Sequence, residues 1–181
     1  MNHVSISTAS LMLLGCLTLA RQAAALRVSS DTIPPALAPL GNEHRSLRAS
    51  FDGVLQRATA PAASRADRLV LVTFLRNTLI PYAQSEELVL YPVLDSVLGT
   101  QGQATAPLVR DHRAVANMTL ELASLVDTDV PAFQRDAVRL AALVEQHFSN
   151  EEDFVLPNLA RRMNGRALHA LLARLAAQRV Q

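Results

Sequence analysis

The chain has 181 residues, of which half are hydrophobic, 18% are charged and 4% are aromatic, and its formal net charge is +1. This length allows one domain with its own core, and the balanced charge argues against a partner that is nucleic acid or an anionic membrane. A single cysteine, Cys16, excludes an intrachain disulfide, a cysteine-based zinc site and an iron–sulfur cluster. Any metal site must therefore use histidine, carboxylate, tyrosine or water. The Ala- and Leu-rich composition favours helix over sheet.

Residues 1–35 are predicted to be a leader or an unstructured or helical extension outside the domain. The apolar run 9–20 is too short to span a bilayer. It has the length of a secretory signal core, with a cleavage site at 23–25, and residues 13–16 resemble a bacterial lipoprotein box in which Cys16 would be lipidated. The first eight residues carry no Lys or Arg, which such signals normally have. We therefore expect a cytoplasmic protein with an N-terminal extension or a misplaced start, with export or lipidation as the alternative.

Helix-period patterns fill the remaining domain, residues 36–181. They predict four helices at about 39–59, 64–97, 106–126 and 131–162, followed by an amphipathic stretch at 166–179. The links between them are short and carry turn signals. The expected fold class is therefore all-α, an up-down-up-down four-helix bundle with an extra C-terminal helix that packs across it.

Each predicted helix has one inward stripe, found by steps of three or four residues. On the second and fourth helices the stripes run on to Val93 and Phe154. The stripes are apolar except for six residues that could bind a metal: His44, Tyr82, Glu86, His112, His147 and Glu151. Carboxylates buried without partners are costly, and cations between them and the imidazoles would satisfy both. Glu87 and Glu152 lie about 100° further round their helices and are expected to point to the flank or to solvent.

The local sequences around these residues form two similar halves, 86–94 and 147–159, in which Glu86 aligns with Glu151 and Pro92 with Pro157. Together with the segments 42–45 and 111–113, they resemble the hemerythrin-like (HHE cation-binding) family over residues 36–162. The resemblance implies a four-helix bundle with a non-haem di-iron site. In that site Glu86 and Glu151 would bridge two iron ions (Fe2+/Fe3+) that are also oxo- or hydroxo-bridged, and the histidines would cap them. Manganese or zinc would suit the same ligand types.

The chain departs from the oxygen-carrying members of that family in two places. Tyr82 stands where the second half has His147, and Ala116 stands four residues after His112, where a carrier has a further histidine. As a phenolate ligand, Tyr82 would favour ferric iron and oppose reversible oxygen carriage. Alternatively, it is a core residue that donates a hydrogen bond to Glu86 or to a bound ligand. Pro81 removes an N–H donor beside it and is expected to kink the helix.

Three functions remain open at this point. The first, which we favour, is a di-iron protein that handles O2, NO, peroxide or iron, in sensing or stress protection rather than oxygen transport. The second is an enzyme with peroxide or nitrogen-oxide redox activity, and the third is a metal-free helical interaction module. The expected partner is a small diatomic or peroxide ligand, with no nucleic acid, and with a membrane only if Cys16 is lipidated.

Overall fold

The computed structural model describes residues 33–179, and every regular element in that range is helical. A 3-10 turn, Pro35–Leu37, leads into α1, Ala38–Thr59. The other helices are α2 (65–98), α3 (Ala106–Leu125), α4 (130–162) and α5 (Gly165–Arg179). For these residues, the prediction of an all-α fold is confirmed. The leader prediction for residues 1–35 falls almost entirely outside the described residues and stays a prediction.

Helices α2 and α4 are continuous but contain π turns. In α2, a π turn at Leu75–Leu79 separates Arg65–Phe74 from Ile80–Ser85, and a second at Glu86–Leu90 precedes Tyr91–Leu98. In α4, a π turn at Glu151–Val155 lies between Val130–Asn150 and Leu156–Arg162.

A proline follows each π turn at the second residue, at Pro81, Pro92 and Pro157. The wider turn leaves room for a ring that has no N–H and would clash with the carbonyl of a regular preceding turn. The sequence predicts a kink at Pro81. The structure has the π turn Leu75–Leu79 just before this proline, in which the Ile80 N–H donates to the Leu75 carbonyl.

The π turns shift the inward stripe by one residue. The sequence predicts Phe154 inside, but Phe154 is 40% exposed and Val155 is fully buried. In the same way Val93 is only half-buried, whereas Leu94 is fully buried. These two predictions are wrong because a step of 3.6 residues does not hold across a turn that contains an extra residue.

Short capped links join the helices. Ser64 and Asp67 form a capping box at the start of α2, and Gly99 ends that helix in the left-handed conformation, with φ of 71°. The Asp129 carboxylate accepts from the Ala132 N–H at the start of α4. These caps confirm that the links between the predicted helices carry turn signals.

Helix α1 contacts α2 and α4, and α3 contacts the same two helices. Helix α5 lies on the part of α2 that carries Tyr82 and Glu86, and it buries Leu168, Leu171 and Leu175. Among residues 33–179, no helix is both long enough and apolar enough to cross a membrane.

Candidate metal centre

Two buried carboxylates from neighbouring helices face a histidine of α1. His44 and Glu151 are fully buried, and Glu86 is almost so. His44 Nε2 lies 3.8 Å from Glu86 Oε1 and 3.6 Å from Glu151 Oε2. Both distances exceed a hydrogen bond but are short enough for one cation to contact all three atoms.

Two more histidines face the same carboxylates. His112 Nε2 is 3.7 Å from Glu86 Oε2, and His147 Nε2 is 3.5 Å from Glu151 Oε2. The Nε2 atoms of His112 and His147 are 2.9 Å apart. The potential ligand atoms of two triplets, His44–Glu86–Glu151 and Glu86–His112–His147, lie within 4.8 Å of one another in each triplet. Glu86 belongs to both triplets.

Several buried atoms at this point have no hydrogen-bond partner. Four of them are His44 Nε2, Glu86 Oε1, Glu151 Oε2 and Tyr82 Oη, and His147 Nδ1 and Arg179 Nη2 also lack a partner. A buried polar atom without a partner is costly, and protein interiors seldom keep several together. Each of these four groups could bind a cation through a lone pair, and Tyr82, His44 and Glu151, whose pKa values are raised, would first lose a proton. The donor set of imidazoles and carboxylates therefore fits iron, manganese or zinc.

The outer nitrogens of the three histidines face further carboxylates. His44 Nδ1 is 3.1 Å from Glu152 Oε1, and His112 Nδ1 is 2.8 Å from Glu87 Oε1. His147 Nδ1 lies 3.6 Å from Asp111 Oδ2. A carboxylate that accepts the Nδ1 proton leaves the Nε2 lone pair pointing into the centre, as metal-binding histidines require.

These contacts correct the expectation for Glu152 and agree with that for Glu87. Glu152 is buried and does not point to the flank or to solvent, because Arg48 and His44 hold it inside. Arg48 donates to Glu152 at 2.6 Å and to Glu145 at 3.1 Å. Burial raises the pKa of the Glu152 carboxyl, but the hydrogen bonds from His44 and Arg48 lower it by more than that, so the net shift of the pKa is downward. Glu87 does lie at the flank, partly exposed, with its carboxylate on His112.

Tyr91 is the site residue for which sequence reasoning assigned no role. Its hydroxyl donates to Glu151 Oε1 at 2.8 Å and lies 3.3 Å from His112 Nε2, and its ring stacks on that of His112. Burial and the nearby Glu151 raise the pKa of Tyr91, so that it stays a neutral donor. The extra residue of the π turn Glu86–Leu90 brings position 91 inside, and a helical periodicity of 3.6 residues does not reveal that turn.

The pKa values in the centre are pushed far apart. Burial, and then the neighbouring Glu86, raise the pKa of Glu151 to about 8. Burial lowers the pKa of His147 to about 3, helped by the charges of His112 and His44. Burial lowers the pKa of His44, but the neighbouring carboxylates of Glu152 and Glu86 outweigh the effect of burial and raise this pKa to about 9. Groups this perturbed and this close are typical of functional sites.

Tyr82 lies beside His44. With it, all six residues that the sequence analysis predicted as metal ligands lie close together inside the protein. The Tyr82 ring meets His44 edge-on at a centroid distance of 6.0 Å, and the guanidinium carbon of Arg179 lies 3.9 Å from its ring centroid. Burial and the charge of Glu86 raise the pKa of Tyr82 well above its usual value, although Arg179 lowers it.

Comparison with known families gives a match over residues 36–177 to the hemerythrin HHE cation-binding domain. The chain belongs to this family. The resemblance seen in the sequence is thereby confirmed, and the hemerythrin HHE domain includes α5 as well as the four helices that carry the candidate ligands. Comparisons with curated proteins and with solved structures give no match.

Proposed function

We propose that this hemerythrin HHE domain holds two cations, most plausibly iron, and uses them to handle a small ligand such as O2, NO or peroxide in sensing or stress protection. The observation that carries the proposal is the position of Glu86, which belongs to two triplets of buried ligand-type residues. One carboxylate shared by two triplets is the arrangement expected of a bridging ligand between two metals.

The proposed ligands are His44, Glu86 and Glu151 for one cation and Glu86, His112 and His147 for the other, with Tyr82 beside the first. The four buried atoms without partners support this assignment, since cations would satisfy them all. The bound metal would supply Lewis acidity and redox chemistry. The protein's part is to hold the imidazoles of His44 and His112 through Glu152 and Glu87 and to keep the ligands buried.

The helix contacts support a finer account of the fold. Since α1 and α3 each contact α2 and α4, and the links are short, we infer that these four helices form an up-down-up-down bundle with α5 across one side. The centre then lies inside the bundle, where each of the four helices contributes at least one ligand.

Redox behaviour tests this role. Iron-loaded protein is reduced without oxygen, and NO or O2 is then added while the visible spectrum is recorded. We expect a stable NO adduct and an irreversible oxidation by O2, because only three histidines surround the two proposed sites. A stable and reversible spectrum with O2 would show an oxygen carrier and contradict the proposal.

The second candidate is an enzyme for peroxide or nitrogen-oxide chemistry, and the observation that favours it is Tyr82. The Tyr82 phenol is buried beside His44 without a hydrogen-bond partner, which supports its binding to a ferric ion. Sustained consumption of hydrogen peroxide by iron-loaded protein, lost in His147→Ala, would favour the enzyme. Consumption no faster than that of the metal-free protein would favour a sensor.

A further inference from the structure

Arg179, near the end of α5, reaches the side of the centre that Tyr82 bounds. Its Nε donates to Ser85 Oγ at 3.0 Å, and its Nη1 forms an ion pair with Glu43. Its guanidinium lies over the face of the Tyr82 ring. These three contacts fix the guanidinium plane, so the direction of the remaining nitrogen is fixed as well.

That remaining nitrogen, Nη2, is buried and has no hydrogen-bond partner. Glu86 Oε1 lies 4.0 Å from it, which is beyond hydrogen-bond distance, and also lacks a partner. Unlike the other partnerless atoms of the centre, a guanidinium N–H can only donate. A cation bound by Glu86 cannot satisfy it and would repel it.

Arg179 Nη2 is therefore a buried donor beside the centre that is free to donate to a ligand. We propose that Arg179 makes this centre prefer small anionic ligands over neutral diatomic ones. An anion held at the centre would accept a charge-assisted hydrogen bond from Nη2, whereas NO or O2 would accept only a weak one. The inference rests on the proposed cation centre and adds a ligand class and a specificity-determining residue to it.

The surroundings of Arg179 support this role. The buried leucines of α5 hold the helix against α2, so the guanidinium is already in place before a ligand arrives. A cavity of about 290 Å³ between the start of α1 and α5 is lined by Glu43, His169 and Arg179 among others. This cavity borders Arg179 beside the centre.

The test compares iron-loaded wild-type protein with Arg179→Gln and with Arg174→Gln, a matched control because Arg174 is an exposed arginine of the same helix. Oxidised samples are titrated with sodium azide, and reduced samples with NO, by visible spectroscopy. We expect Arg179→Gln to raise the Kd for azide about tenfold or more and to leave that for NO nearly unchanged. Arg174→Gln should match the wild type for both ligands.

The iron content of each sample is measured first, so that two kinds of failure can be told apart. A wild-type protein that binds no iron overturns both this inference and the proposed function. Iron-loaded proteins that all bind azide equally, or an Arg179→Gln variant that weakens azide and NO alike, overturn this inference alone. If Arg179→Gln does not fold, Arg179→Met, which has a long side chain without charge or N–H donors, replaces it. A reduced preference for azide over NO in that variant supports the inference, and an unchanged preference contradicts it.

Discussion

The two halves of the centre, one on α2 and one on α4, share a local backbone but differ in the side chains around it. Glu86 and Glu151 each begin a π turn, and each is followed six residues later by a proline. One turn before the glutamate, α4 has His147 and α2 has Tyr82. The repeated backbone therefore places equivalent carboxylates, and the residue one turn earlier makes the two proposed cation sites chemically different.

The polar surroundings differ as well. Glu152 is buried between His44 and Arg48, whereas the side chain of Glu87 is 35% exposed beside His112. Glu87 and Tyr91 also line a cavity of about 620 Å³ at the link between α2 and α3. The His44 side is thus held by buried charges, and the side with His112 and His147 lies closer to solvent. Changes in buried contacts should have larger effects than changes in exposed ones.

The largest effect is expected from Glu86, which both triplets share. Glu86→Ala should lose both cations, whereas His147→Ala, which affects one triplet, should retain about one of two irons per chain. Iron and protein are quantified by mass spectrometry, and circular dichroism confirms that each variant is helical. Two irons retained in Glu86→Ala would contradict the shared role.

The next largest effect on metal binding is expected from the two carboxylates that orient the histidines. Glu152→Gln should weaken metal binding by about 10- to 100-fold, because the buried His44 loses its charged acceptor. Glu87→Gln should have a smaller effect, since solvent can replace its contact with His112. Competition with a chelator of known affinity measures both, and a larger loss in Glu87→Gln would reverse the comparison.

Tyr82 stands in one half of the centre where the other half has His147, and its binding to iron can be tested optically. If Tyr82 binds iron, oxidised protein should show a visible phenolate-to-iron charge-transfer band that disappears in Tyr82→Phe. Tyr91→Phe is the matched control, because Tyr91 donates to Glu151 and should leave the band in place. An unchanged spectrum in Tyr82→Phe would refute ligation by Tyr82.

The metal-free protein should lose stability as the pH rises from about 6.5 to about 9. In this window the folded state keeps protons on Glu151, with a pKa of about 8 against 4.5, and on His44, with a pKa of about 9 against 6.5. The unfolded state binds fewer protons, so the free energy of unfolding falls with pH, by roughly a few kcal/mol. Urea unfolding with a chelator present measures this, and a rise in stability over the window would contradict it.

The smallest effect concerns the register shift in α4. Val155→Ala should lower the free energy of unfolding by about 2 kcal/mol, because Val155 is fully buried. Phe154→Ala should change it by less than about 0.5 kcal/mol despite the larger side chain, since Phe154 is partly exposed. Equal losses measured by urea unfolding would show that the π turn does not set the register.

The sequence predicts the helices to within a residue or two, because periodicity and caps are local signals. It also predicts which six polar residues meet, since a buried ionisable side chain stands out on an apolar stripe. It does not predict Tyr91 or Val155, because each depends on a π turn that no periodic pattern reveals. It does not predict the burial of Glu152 either, because the partners of Glu152, His44 and Arg48, lie on another helix. Arg179 is missed for another reason: its partners Glu43 and Ser85 lie on other helices.

Whether the protein holds two cations that share Glu86 is tested most directly by an anomalous difference map from crystals of the iron-loaded protein. We predict two peaks about 3.5–4 Å apart, both in contact with Glu86. One peak should adjoin His44 and Glu151, and the other should adjoin His112 and His147. A single peak, or two peaks that do not share Glu86, would contradict it.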